Sequence, residues 1–154
     1  INKNRFSLGK IVLFLHAVFY AKEAVRVYGD WIRRKQIEAI VPVPMYRWKE
    51  KGRGYNQAAV FALALGEKMN LPVEKHMVKR IRNTTPQKEL NDVERKANLK
   101  KAFQLVPNIV KYRKRLIVDD IYTTGSTIDA VAEVLLQAGV DEIYFLCISI
   151  GEGF

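Results

Sequence analysis

The sequence predicts an α/β domain built on a mainly parallel sheet flanked by helices. Short apolar runs of strand length, at 39–41, 116–118 and 143–150, are separated by segments with helical apolar spacing, and such alternation argues for a parallel sheet. The last run is apolar nearly throughout, as expected of a strand covered on both faces. The run at 116–118 passes through two aspartates and a Thr/Gly/Ser turn straight into a helical segment, and open α/β sheets gather their ligands at that end of the strands.

In chain order, Ser7 is placed to cap a first helix from about residue 8 to 27, apolar on most faces and so largely covered. Gly29 and Asp30 are expected to break it, leaving 31–35 as a short continuation. The run 39–41 reads as a buried strand ended by Pro42 and Pro44. A basic, glycine-containing loop follows over 45–57, and Asn56 can cap a helix over 57–69 that buries Val60, Phe61, Leu63, Ala64 and Leu65. Leu71, Pro72 and Val73 lead into a second short strand that extends toward Met77 and Val78. The polar stretch 81–92 reads as a long surface loop. Helix resumes over 93–101, Ala102 and Phe103 pack, and Pro107 ends the stretch. The strand at 116–118 is followed by a helix over 128–137, with Gly139 where a helix C-terminal glycine belongs.

A chain of 154 residues has the length of one domain, and a single domain is expected over 1–154. With 49% hydrophobic and 27% charged residues the composition excludes a disordered or fibrous chain. The one cysteine, Cys147, excludes an internal disulfide framework or a cysteine-rich zinc module and fits a reducing compartment. The most apolar stretch, 11–21, is 11 residues long, short of the ~20 a membrane-crossing helix needs, so no membrane insertion is expected. Lys3, Arg5 and Lys10 ahead of it have the layout of a signal-peptide start. The apolar pattern continues through Val25, Val27 and Trp31, which favours a packed first helix in a cytoplasmic protein. The net charge of +10 is uneven: residues 1–74 carry 13 basic and 6 acidic side chains, 75–115 carry 13 and 3, and 116–154 carry none and 7. A basic middle beside an acidic end points to a site for a polyanion, with carboxylates placed for something else.

The strongest signal is LIVDDIYTTGST at 116–127. A buried strand delivers Asp119 and Asp120 to its end, and a hydroxyl-rich loop then opens a helix whose first N–H groups have no intrahelical partner. Such a loop can hold a phosphate, with Gly125 permitting close approach. Thr123, Thr124, Ser126 and Thr127 can add hydroxyl hydrogen bonds. Two carboxylates beside a phosphate cradle suit neutral hydroxyls or a divalent cation, and a ribose 5-phosphate meets both demands. No G-x-x-x-x-G-K-[ST] run is present, so this is not the nucleoside-triphosphate P-loop.

The run at 116–127 resembles the phosphoribosyl pyrophosphate (PRPP) motif of type I phosphoribosyltransferases. VPVP at 41–44, RGYNQ at 53–57, TPQKEL at 85–90 and ERKANLKKAF at 94–103 are similar to the ComF family, which includes the GntX gluconate-uptake proteins. The resemblance extends over residues 6–151 and implies a type I phosphoribosyltransferase-like fold with a flexible lid loop. That fold is similar to the corresponding domain of glutamine amidophosphoribosyltransferase. The resemblance also implies a link to natural competence, the import of single-stranded DNA. Residue by residue, it implies that Asp119 and Asp120 hold the ribose hydroxyls, and that Thr123, Thr124, Gly125, Ser126 and Thr127 hold the 5-phosphate. Segment 44–56, with Arg53 and Gly54, would take the place of the pyrophosphate loop. Segment 82–98 would be the lid, and Arg95 and Lys100 its contacts to pyrophosphate. Mg²⁺ would enter on PRPP oxygens and not on a protein cage. Family members commonly begin with a four-cysteine zinc ribbon, which one cysteine cannot form, so nothing resting on that ribbon carries over.

Loss of pyrophosphate from the anomeric carbon would separate charge, and fixed cations and N–H dipoles stabilise that separation where water is excluded. Three functions are compatible with these residues. The first is a phosphoribosyltransferase using PRPP and Mg²⁺. The second is a non-catalytic module that contacts single-stranded DNA or a competence helicase through its basic surface. The third is a sensor of PRPP or nucleotide without turnover. Elsewhere the bland assignments prevail. Lys49, Lys51 and Lys101 read as solvated surface, and Lys111, Arg113, Lys114 and Arg115 as a solvated turn, with a nucleic-acid site the close alternative. Tyr46, Trp48, Tyr55 and Tyr112 read as cover for the domain's own surface, with base stacking the sharper alternative. His16 and His76 read as structural, and Cys147 as an inert core thiol. Asp129 and Glu133 suit the start of a helix through its dipole alone.

Overall fold

The computed structural model describes residues 5–82, 101–106 and 111–151, without the side chains of 5–13, 48, 49 and 53. Its elements are α1 (Arg5–Arg34), β1 (Ala39–Pro42), α2 (Arg47–Arg53), α3 (Gln57–Met69), β2 (Val78–Arg80), β3 (Phe103–Leu105), β4 (Lys114–Tyr122), α4 (Ser126–Gln137) and β5 (Glu142–Ile150). β4 is the centre of a three-stranded parallel sheet of order β1-β4-β5. Ile40 pairs with Leu116 on one side, and Leu116 pairs with Tyr144 on the other. Val73 adds a parallel bridge on the outer side of β1, with the Ile40 N–H donating to Pro72 O at 2.9 Å and the Glu74 N–H to Ile40 O at 2.8 Å. β2 and β3 form a separate antiparallel pair. The expected α/β class with a mainly parallel, helix-flanked sheet is therefore present.

Side-chain alternation along β4 divides the core in two. Leu116 and Val118 point to α1 and α3, where they pack with Ile40, Phe61, Leu65 and Ile32. Ile117 points the other way, to Val131 and Leu135 of α4 and to Val78 and Phe103 of the small sheet. Ala102 and Phe103 pack as expected.

α3 occupies its predicted span, and the Asn56 side chain accepts from the Ala58 N–H at 3.0 Å to cap it. α4 ends as predicted: Gly139 has φ 92°, its N–H donates to Leu136 O, and the Val140 N–H donates to Leu135 O. That pair of bonds closes a Schellman turn.

Several expectations need correction. α1 is one helix of 30 residues with Ser7 inside it, and Gly29 and Asp30 do not break it. A mid-helix glycine costs only about 1 kcal/mol against alanine, and Gly29 is buried where an added Cβ would come within 3.7 Å of Met69 Sδ on α3. Packing against α3 outweighs the local penalty. The loop at 45–57 contains α2. Leu63 is 44% exposed; Ala58, Ala62 and Gly66 join Phe61, Ala64 and Leu65 on the buried face. The strand expected from 71 is a single bridge at Val73, and Val78 belongs to the antiparallel pair.

β5 is not covered on both faces: it is a sheet edge, with Phe145 50% and Ile150 74% exposed. The basic turn before β4 is only partly solvated. Arg115 is fully buried, its Nε 2.6 Å and Nη2 3.3 Å from the Glu74 carboxylate, and it also donates to Tyr112 O. The segments expected as a surface loop over 81–92 and a helix over 93–101 lie outside the described residues apart from Ile81, Arg82 and Lys101, as does Pro107. Among the described residues, no helix is long and apolar enough to cross a membrane.

Candidate functional site at the end of the central strand

β4 carries Asp119 and Asp120 in its last four residues, where the parallel sheet opens toward solvent. Asp119 is only 9% exposed, and its Oδ1 accepts from the Asp120 N–H at 2.9 Å. Burial pushes the Asp119 carboxyl up to about 7, and the side-chain hydrogen bond and negative charge of Asp120 push in the same direction, while the Asp120 N–H pulls it down. The Arg80 guanidinium opposes them weakly. Arg80 is itself half-buried; burial lowers its pKa and the Asp119 charge raises it. Across the ladder Cys147 faces Asp119, and burial, followed by the Asp119 charge, pushes its thiol up to about 11. A thiol so placed stays protonated, consistent with an inert residue.

The turn after β4 requires glycine at position 125. Gly125 sits at φ 77°, and a Cβ there would stand 2.7 Å from the Tyr122 hydroxyl. The Tyr122 ring is held in turn by stacking on Phe145, at 5.5 Å between centroids and 12° between planes. Gly125 O accepts the first helical bond of α4, from the Asp129 N–H at 2.9 Å. The N–H groups of Ser126, Thr127 and Ile128 precede that bond and have no acceptor within the helix. The hydroxyls of Thr124 and Ser126 lie 2.9 Å apart at the mouth of the turn. Thr123 and Thr124 are exposed, and Gly125, Ser126 and Thr127 half-buried. The sequence-predicted carboxylates and hydroxyls thus come together at one end of β4, beside a helix start that favours an anion.

Two cavities flank this end. The first, about 530 Å³, lies between 44–47 and 75–81 and is lined by Arg47, Lys75, Lys79 and Arg80, with Tyr46 and Glu50. Four cations against one carboxylate make it a seat for anionic groups. Gly54, at φ 79°, ends α2 by donating its N–H to Glu50 O. Arg53 is the last residue of α2, and its side chain lies outside the described residues. Arg95, Lys100 and the remainder of the expected lid over 83–98 also lie outside them.

The second cavity, about 390 Å³, opens on the α1–α3 side, and Asp120 forms part of its wall with His16, Tyr20, Gln57, Phe61 and Ser149. Sequence reasoning missed Arg80 and this second group. For Arg80 a signal existed: period-two alternation places it on the face of buried Val78. No local signal links His16 and Gln57 to Asp120.

No protein-family model matches the chain. It is 41% identical to competence protein F of Haemophilus influenzae over 108 residues, covering 69% of this chain and 47% of that protein. It is 36% identical to DNA utilization protein YhgH of Escherichia coli over 112 residues, 72% of this chain and 48% of that protein. The chain therefore spans about half the length of the curated relatives it matches. Among solved structures, an adenine phosphoribosyltransferase superposes with a TM-score of 0.56 at 15% identity, over 90% of this chain and 70% of that one. The Saccharomyces cerevisiae adenine phosphoribosyltransferase superposes with a TM-score of 0.53 at 13% identity, over 90% and 69%. At such identities the likeness establishes the fold, that of a type I phosphoribosyltransferase.

Proposed function

Because the chain belongs to the ComF family, we propose that it binds PRPP, or a related ribose 5-phosphate, with Mg²⁺ at the end of β4, in a protein serving DNA uptake. The observation that carries this reading is the Gly125 turn, which sets a helix start and the hydroxyls of Thr124 and Ser126 directly after Asp119 and Asp120. The 5-phosphate would take the N–H groups of Ser126 and Thr127 and the hydroxyls of Thr123, Thr124, Ser126 and Thr127. The ribose hydroxyls would donate to Asp119 and Asp120. Pyrophosphate, being anionic, would lie toward Arg47, Lys79 and Arg80. Two carboxylates, one of them buried, are too few for an all-protein Mg²⁺ cage, and Mg²⁺ commonly arrives on substrate phosphates. The donor set here suits that mode, in which the ion, when bound, would neutralise charge on the phosphates. Phosphoribosyl transfer is the activity such a site would support.

Calorimetric titration of PRPP with Mg²⁺ tests the reading. The wild type is expected to bind, and Asp119→Asn/Asp120→Asn to lose at least tenfold in affinity. Absence of binding by the folded wild type would reject it.

The four-cation cavity favours a second reading, in which the chain holds single-stranded DNA without turnover. Three or four phosphate contacts at Arg47, Lys75, Lys79 and Arg80 would make log affinity fall against log salt with a slope of about −2 to −3. A flat salt profile, or no binding to an oligothymidylate at low ionic strength, would count against it.

A further inference from the structure

We infer that the turn after β4 is held in shape from the neighbouring edge strand, with Phe145 and Gly151, in and just after β5, as positioning residues for a phosphate group. This rests on the phosphate reading above and adds the residues that would keep the turn preorganised for that group. The turn itself is poorly suited to supply its own rigidity. Gly125 sits at φ 77°, and glycine has the widest backbone freedom of any residue. Thr123 and Thr124, which precede it, are exposed. A small anion that is to meet the N–H groups of Ser126 and Thr127 together with the nearby hydroxyls needs a fixed backbone, and such fixity comes from supporting residues behind the first contacts.

Two contacts supply that support. The first is a stack of rings. The Tyr122 side chain fills the space a Cβ on Gly125 would take: its hydroxyl oxygen, Cζ and Cε2 would stand 2.7, 3.2 and 3.3 Å from such an atom. The ring is therefore the floor beneath Gly125, and Phe145 braces it. The two rings are nearly parallel, at 12° between planes and 5.5 Å between centroids, the offset arrangement that aromatic pairs prefer. Phe145 is half-exposed on the sheet edge, so the brace can be removed without opening a cavity in the buried core. The second contact comes from the residue after β5. The Gly151 N–H donates to Tyr122 O at 2.7 Å and ties down the residue from which the turn departs. A Cβ on Gly151 would come within 2.9 Å of both Thr123 Cγ2 and Ile121 Cδ1. An alanine there would displace the Thr123 methyl, and the Thr123 hydroxyl, carried on the same Cβ, would move with it.

The test is calorimetric titration of ribose 5-phosphate, which carries the 5-phosphate and no pyrophosphate, into the full chain and its variants, each shown to be folded by thermal unfolding. The wild type is expected to bind saturably. Phe145→Ala is expected to weaken binding at least tenfold, whereas Phe145→Tyr keeps a ring for the stack and should stay within twofold of the wild type. Leu136→Ala removes another half-exposed apolar side chain, at the far end of α4, and should also stay within twofold. Gly151→Ala is expected to weaken binding at least fivefold, and it carries the test should Phe145→Ala fail to fold. Phe145→Ala or Gly151→Ala binding as tightly as the wild type would overturn the inference and leave the phosphate reading standing. A loss that Phe145→Tyr does not rescue, or that Leu136→Ala reproduces, would reflect general loosening of the fold and would also overturn it. A folded wild type that does not bind ribose 5-phosphate would remove the phosphate reading and this inference with it.

Discussion

At the scale of single residues, Asp119 is the carboxyl of the candidate site that burial perturbs most. Its folded-state pKa of about 7 lies above its ordinary value of 3.8, so the folded chain holds this proton more tightly than the unfolded one. The resulting stabilisation is full below about pH 4 and is lost as pH rises to about 7. Asp119→Asn removes the titration. The variant should gain stability on the wild type between pH 4 and 7, by at most about 4 kcal/mol, and hold that gain above pH 7. Urea unfolding of both proteins at pH 4, 6 and 8 checks this; a difference that does not change with pH would contradict the burial assigned to Asp119. Its place at the end of the central strand was legible in the sequence because everything that defines it is contiguous: an apolar run, two acids and a glycine turn within 116–127. Arg80 was not legible as its neighbour, since it arrives through the pairing of Val78 with Leu105, 27 positions apart in the chain.

At the scale of elements, β4 is tied at its start as firmly as it is exposed at its end. Arg115 sits wholly buried against Glu74, which follows the bridge on the far side of β1. Removing one partner leaves a buried charge without its counter-ion. Glu74→Ala should therefore cost about 3 kcal/mol in urea unfolding, and Glu74→Leu/Arg115→Met should recover most of it. Equal loss in both variants would mean that packing, and not charge, dominates there. Local signals served some elements well. Asn56 and Gly139 mark the start of α3 and the end of α4, because caps depend on residues adjacent in the chain. They failed where tertiary contact decides: α1 continues through Gly29 because α3 lies against it, and β5 is an edge although its composition suits a central strand. Exposed Phe145 supports Tyr122, which in turn leaves no room for a side chain at Gly125.

At the scale of the whole molecule, the excess of positive charge in the middle of the chain and of negative charge at its end meet around one strand. Lys75, Lys79 and Arg80 come from the basic stretch, Asp119 and Asp120 from the acidic one. The charge asymmetry was visible in the sequence, but the two separate cavities were not, because α1, α3 and β2 contribute walls from distant segments. The central place of β4 also has a kinetic meaning. Ile117 and Val118 have a strand on either side and a core on either face, so their amide hydrogens should exchange with deuterium only through global unfolding. The amides of Ser126 and Thr127, at the open end of α4, should exchange far sooner. PRPP with Mg²⁺ should slow exchange at Ser126 and Thr127 by direct contact. Any slowing at Ile117 should match the ligand's effect on overall stability. The carboxylates proposed to meet the ligand are thus mounted on the last part of the protein to open, and the groups proposed to grip its phosphate lie among the first to loosen.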